Sequence, residues 1–197
     1  MIYEFNGYKP VIHNTSFVHA EATIIGNVII GKDVYVGPGA SIRGDWGQII
    51  IEDGCNVQDN CIIHIFPGKD VILKENSHIG HGAIIHGAQI GKNTMVGMNA
   101  VVMDDAVIGN ECIIGALSFI KGEMEIPNRK IVVGNPAGIK GDVTDEMINW
   151  KTKGTELYQG LPKECMDLMK ECIPLSEIEE NRKQKQKITF NTWKKSK

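Results

Sequence analysis

The sequence predicts a mainly β protein: a parallel β-helix over residues 1–140, followed by a C-terminal α-helix and a basic tail over 141–197. Three observations carry this. Aliphatic residues recur every six positions at Val18, Ile24, Ile30, Val36 and Ile42, then Ile51, Val57 and Ile63, then Leu73, Ile79 and Ile85, and finally Ile90, Val96, Val102, Ile108, Ile114 and Ile120. A small residue usually stands four places later (Ala22, Ala40, Cys55, Cys61, Ser77, Ala83, Ala100, Cys112), and Gly often follows the aliphatic position directly (Gly31, Gly37, Gly80, Gly91). The composition, with 22 Gly and only 6% aromatic residues, suits short strands and tight corners. A six-residue period over about 18–123 fits units of one short strand plus a corner. An amphipathic helix needs a period near 3.6, and alternating strands need a stronger period of two.

The interruptions come next. Three extra residues lie between Ile42 and Ile51, four lie between Ile63 and Leu73, and the unit at Ile85 is one short. Insertions in a repeat emerge as loops on one face, often the functional one. After Ile131 the pattern changes: Gly134-Asn135-Pro136-Ala137 reads as a turn. Thr144 with Asp145 and Glu146 reads as a helix start running to Gly154, and a second helical stretch is expected from Pro162 to Cys172. From Arg182 the tail is basic and polar, with Phe190 and Trp193 isolated, and a solvated terminus is expected.

Composition also excludes functions. A net charge of −3 with both signs mixed gives no footprint for nucleic acid or an anionic membrane. No apolar run approaches the ~20 residues of a membrane span. The start Met-Ile-Tyr-Glu-Phe-Asn-Gly is unlike a signal peptide, so a cytoplasmic location is expected. The five cysteines are odd in number and form no CxxC pair; Cys55, Cys61 and Cys112 fall in the small inward column and read as packed thiols.

The six-residue pattern resembles the hexapeptide-repeat family. The resemblance implies a left-handed β-helix of triangular section, three units per coil, assembled as a homotrimer. With three units per coil and insertions treated as loops, Ile42, Ile63 and Ile85 fall on one face of successive coils, and Arg43, His64 and His86 follow them as a vertical outward column. Coils stack at about 4.8 Å. Two imidazole nitrogens on one tetrahedral metal sit about 3.4 Å apart, so modest ring tilts bring His64 and His86 together. His81 lies on the adjacent face above Asp59, so a third ligand has to cross a subunit boundary, which gives three sites per trimer. The plainer alternative is that these histidines only bond at an interface. His13 and His19 read as structural or exposed, and His78 as a corner residue.

Ile42-Arg43-Gly44-Asp45, Asn56-Val57-Gln58-Asp59-Asn60, His64, Gly80-His81 and His86-Gly87 resemble the γ-class carbonic anhydrase family. Val96 to Asp104 and Trp150 to Gln159 are similar to its branch encoded with phenylacetate and carnitine catabolism genes. The resemblance implies a metal site in which His64 and His86 from one subunit and His81 from another hold zinc, with iron(II) or cobalt as alternatives. It implies reversible hydration of CO2 by metal-bound hydroxide at the trimer interface. Gln58 then orients hydroxide or substrate, Arg43 and Asp59 form an interfacial charge pair, and Asp45 belongs to the same network. Trp46 stands where the prototype has a carboxylate, and the loop Ile65 to Asp70 lacks its acidic insertion with the proton-shuttling Glu. A rim of Trp46, Ile65 and Phe66 suits a bulkier substrate, so an acyl-CoA thioesterase using the same metal site is the first alternative and a hexapeptide acyltransferase the second. The paired histidines argue against the transferase, since a lone base needs no stacked partner. Arg43, Asp45 and Asp59 read equally well as trimer contacts.

Overall fold

In the computed structural model, which describes residues 1–183, 190, 191 and 193, short parallel strands stack into a β-helix of triangular section. One face stacks the first half of the long strand Ser41–Ile51, then Ile62–His64, Ile84–His86, Val101–Val102 and Phe119–Ile120, one per successive coil. The second half of that strand turns onto the next face, where it pairs with Asp70–Leu73, and Gln89–Ile90, Val107–Ile108 and Glu125–Ile126 follow. The third face runs from Phe17–Val18 through Tyr35–Val36, Asn56–Val57, His78–Ile79, Met95–Val96 and Ile113–Ile114 to Lys130–Gly134. The ladder starts earlier than the period at Val18 suggests: Ile2–Tyr3 and Val11–Ile12 pair in parallel with Thr23–Ile30.

The six-residue period exists because each unit sends one aliphatic side chain and one small side chain into a narrow interior. Ile24, Ile42, Ile63, Ile85 and Val102 are fully buried, as are Ala22, Ala40, Cys61, Ala83 and Ala100 in the small column. Each buried Ile contributes about 1.5–3 kcal/mol relative to exposure. The three inward thiols are packing groups: Cys55 and Cys61 donate to the carbonyls of Lys74 and Gly80 at 3.1 and 3.2 Å, and burial pushes both up to about 11. Corners close through left-handed residues, mostly Asn, Asp and Gly, the types that tolerate this conformation. His13 and His19 also serve corners, each accepting a backbone N–H two residues on, from Thr15 and Glu21.

Lys130–Gly134 pairs antiparallel with Ala137–Asp142 around the turn at Asn135-Pro136, which ends the parallel ladder. Thr144 then caps α1 (Asp145–Leu168) by accepting from Met147 N at 3.3 Å, with Asp145 and Glu146 in the first turn. The two helical stretches expected from the sequence are one helix, which passes through Gly154 and Pro162 and stops short of Cys172. Gly154 does not end it because the helix is held by docking on both sides of that residue. Pro162 is buried in the helix at the cost of one backbone bond. Phe190 and Trp193 are not isolated: they pack on Trp150 at 5.5 and 6.2 Å, and Trp150 Nε1 donates to Asn191 O at 2.7 Å. Lys185 and Lys187 before them and Lys194, Lys195 and Lys197 after them lie outside the described residues. Among the described residues no helix is long and apolar enough to cross a membrane.

α1 lies on the third face of the β-helix. The buried Lys151 donates to Asn76 O and Asn93 Oδ1 at 2.7 and 2.6 Å, and Gln159 Nε2 donates to Asn76 Oδ1 and Gly54 O at 2.8 and 3.2 Å. Burial pushes the Lys151 amine down to about 7, from an ordinary 10.5 in the unfolded chain. The folded chain therefore releases this proton near pH 7 while the unfolded chain keeps it to about 10.5, so the contribution of Lys151 to stability rises with pH across that window. Thermal melts should show a rise of Tm between about pH 7 and 9.5 that is larger in the wild type than in Lys151→Met; parallel pH profiles would show that the amine is charged in the folded state throughout.

Candidate metal centre

The expected register holds: Ile42 pairs with Ile63, Ile63 with Ile85, and His64 with His86. Strand alternation points Ile63 and Ile85 inward, so the rings after them stand outward, one coil apart. His64 Nδ1 and His86 Nε2 face each other at 3.2 Å. That separation is close to the spacing of two nitrogens on one tetrahedral ion.

The opposite nitrogen of each ring is held by a carboxylate. His64 Nε2 lies 3.0 Å from Asp45 Oδ1, and His86 Nδ1 lies 2.6 Å from Asp104 Oδ1. An ionised carboxylate only accepts, so each of these nitrogens carries the hydrogen. A neutral imidazole has one hydrogen, which leaves His64 Nδ1 and His86 Nε2 as two bare lone pairs aimed at each other. Only a cation or an added proton relieves that opposition. Burial holds His64 below its ordinary 6.5, outweighing its bond to Asp45, so the ring is neutral at pH 7. Burial alone would raise Asp45, but the bonds from Arg43 and His64 prevail and keep it below its ordinary range, so it is ionised. The donor set therefore fits a divalent ion, with carboxylates orienting the ligands in the manner of metal-binding histidines.

His81 follows the third-face strand His78–Ile79, on the corner beyond it. Its Nδ1 sits 2.5 Å from Asp59 Oδ2, which by the same reasoning leaves Nε2 bare on a half-exposed ring. Among the described residues no three metal-ligating side chains close around one point within the single chain. The chain presents a pair on one face and a third ring on a corner. Within it Arg43 bonds Asp45 rather than Asp59, whose partner is His81.

Gln58 is almost fully buried. Its Oε1 accepts the backbone N–H of His81 at 3.2 Å, and its Nε2 reaches Asn56 Oδ1 at 3.0 Å and His78 Nε2 at 2.7 Å. Both amide hydrogens are engaged, and one lone pair of Oε1 remains for other partners. His78 is not at a corner: it lies in a strand, under α1.

The rim differs from expectation in one residue. Trp46 and Phe66 are each 52% exposed and stand beside the rings, Trp46 at 5.4 Å from His64 and Phe66 at 5.2 Å from His86. Ile65 is fully buried, because the residue after an outward histidine points inward by strand alternation. Arg43 lies 6.0 Å over the Trp46 ring. Asp104 escaped the sequence reading because it sits two places after Val102, not directly after it. The signal available was its coil: Val102 stacks on Ile85, which carries the adjacent His86.

Comparison with known proteins agrees with this architecture. The family described as bacterial transferase hexapeptide (six repeats) matches residues 9–44 and 87–122. The carnitine operon protein CaiE of Citrobacter koseri is 48% identical over 180 residues, covering 91% of both chains. A hexapeptide transferase family protein of Anaplasma phagocytophilum superposes with a TM-score of 0.79 at 31% identity, covering 83% of this chain and 96% of the other. A Bacillus cereus protein described as a candidate acetyltransferase superposes with a TM-score of 0.84 at 31% identity, covering 86% and 98%. With nearly half of its residues shared along almost the whole length of CaiE, the chain belongs to the hexapeptide-repeat family, in the branch named for the carnitine operon.

Proposed function

We propose that this chain is a metal-dependent enzyme that adds water to an electrophilic carbonyl carbon, with CO2 as the first substrate, at a site shared between two copies of the chain. The observation that carries the reading is the pair of facing ring nitrogens 3.2 Å apart, each ring held from behind by a carboxylate. A transferase base acts alone and gains nothing from a second imidazole lone pair aimed at it, so the pair supports the metal reading over the acetyl-transfer chemistry named for the Bacillus neighbour. Zinc, iron(II) or cobalt bound there would supply hydroxide near neutral pH, because it lowers the pKa of a bound water to about 7.

The chain's own residues do the rest. Asp45 and Asp104 fix the tautomers and tilt of His64 and His86, and Asp59 does the same for His81, which completes the ligand set from a neighbouring chain. In that trimer Arg43 comes within reach of the neighbour's corner, where it pairs with Asp59. Gln58 holds the main chain at His81, and the remaining lone pair of its Oε1 would be free to orient water once a metal ion is held there. Water and CO2 give bicarbonate and one proton, which leaves through solvent at the open rim.

Hydrolysis of an acyl thioester is a second reading, favoured by one observation: Trp46 and Phe66 form an aromatic wall on either side of the histidine pair. Such a wall binds an acyl chain and has no use for CO2.

Purified protein should bind about one divalent ion per chain. Chelator competition should show that Asp104→Ala weakens binding by about 10–100-fold. Mixed assemblies of His81→Ala with His86→Ala chains should recover part of the binding that each variant lacks alone; no recovery would place all ligands in one chain. In stopped-flow measurements on metallated protein, CO2 hydration should exceed the His81→Ala blank by at least about 100-fold, and equality would remove CO2 as substrate. Release of CoA from a panel of acyl-CoAs should then fall in Trp46→Ala, with the loss mainly in KM, if the aromatic wall binds the acyl group.

A further inference from the structure

His78 has no place in the ligand set, yet it is bonded to the residue that holds His81. Gln58 Oε1 accepts the backbone N–H of His81, and a backbone N–H is an obligatory donor, so this contact exists only with Oε1 turned toward His81. Gln58 Nε2 then donates in two directions, to Asn56 Oδ1 and to His78 Nε2. The contact to His78, at 2.7 Å, requires a lone pair on Nε2 and places the ring hydrogen on Nδ1. Asn56 Nδ2 stands 3.4 Å from that Nδ1, a long contact between two donors that the much shorter bond at Nε2 outweighs. Reversing both amides would satisfy a hydrogen on His78 Nε2 but would leave the His81 N–H facing an NH2 group. Tyr158 of α1 closes the arrangement by standing edge-on to the His78 ring at 5.2 Å and 88°.

We propose that His78, clamped by Tyr158, is a positioning residue that locks the Gln58 amide in the one orientation that holds the main chain of His81, and so aims the ring that reaches toward the neighbouring chain. The inference rests on the metal reading for its functional consequence but not for its hydrogen-bond chemistry. Burial, with the nearby Lys151 and His81 adding to it, pushes His78 down to about 3, which agrees with a permanently neutral ring. In this arrangement α1 is joined to the metal centre through Tyr158, His78, Gln58 and His81 in turn.

Two measurements test it separately. Nitrogen NMR of histidine-labelled, metal-free protein should show His78 with the hydrogen on Nδ1, unchanged between about pH 5 and 8. A hydrogen on Nε2, or an imidazolium in that range, would overturn the proposal whether or not the protein binds metal. The second measurement is chelator competition for zinc in two variants. His78→Phe keeps the ring against Tyr158 but offers no acceptor, and should bind zinc at least about 10-fold more weakly than the wild type. His78→Gln returns an acceptor oxygen and should recover most of that loss, whereas a merely packed ring would be served better by Phe than by Gln. Wild-type zinc affinity in His78→Phe would overturn the proposal. A wild-type protein that binds no zinc would instead sink the metal reading, with the NMR result still deciding what His78 does.

Discussion

The site depends on one constraint, the vertical stacking of Ile42, Ile63 and Ile85 inside the β-helix. Each side chain fills the same narrow interior one coil above the last, and the main chain has no freedom to slip, because a one-residue slip would turn every buried Ile outward. The three extra residues after Ile42 are not a loop but part of the continuous strand Ser41–Ile51 as it turns onto the next face, and the four after Ile63 lie in the loop between Ile62–His64 and Asp70–Leu73. His64 and His86 therefore approach at 3.2 Å without any residue of their own kind being needed to hold them there. The hydrophobic core sets the distance, and the carboxylates then set the chemistry.

That division of labour explains why three aspartates matter as much as three histidines. Asp45, Asp59 and Asp104 each bind the ring nitrogen that faces away from the proposed ion. Without them either tautomer of each ring is available, and the pair would settle its opposition by placing a hydrogen between the two facing nitrogens. With them, that hydrogen is drawn to the carboxylate side. The low setting of His64, from burial, works in the same direction by discouraging a second proton on the ring.

The β-helix, its faces and the column Arg43, His64, His86 were legible in the sequence because all three follow from a period of six and a count of units. What was not legible depended on contacts that the period does not encode. Ile65 neighbours His64 and so reads as a rim residue, although strand alternation sends it inward. Asp104 lies one position off the column, on the corner, where a carboxylate reads as an ordinary turn residue. His78 reads as a corner residue in the sequence because no sequence rule places α1 over its strand. The helix itself was cut in two at Gly154 and Pro162, since local propensity counts against both, while docking through Lys151, Thr155 and Gln159 outweighs it.

The rim is where this chain parts from the γ-class prototype that it resembles. Trp46 replaces a carboxylate beside the proposed ion, and its ring lies against His64 with the Arg43 guanidinium above it. An indole brings neither a proton acceptor nor a charge, so it cannot carry a proton away from the site. It does remove water from one side of the histidine pair, and Phe66 does so from the other side. Lower local polarity strengthens every charge interaction at the site while slowing any step that must export a proton to solvent. Both reactions release one proton per turnover, the thioester through ionisation of its acid product, but export limits a fast CO2 hydration and not a slow hydrolysis. The aromatic wall therefore favours a substrate that stays bound over one that must be turned over fast, and in the proposed reading this is the physical ground on which the thioester competes with CO2.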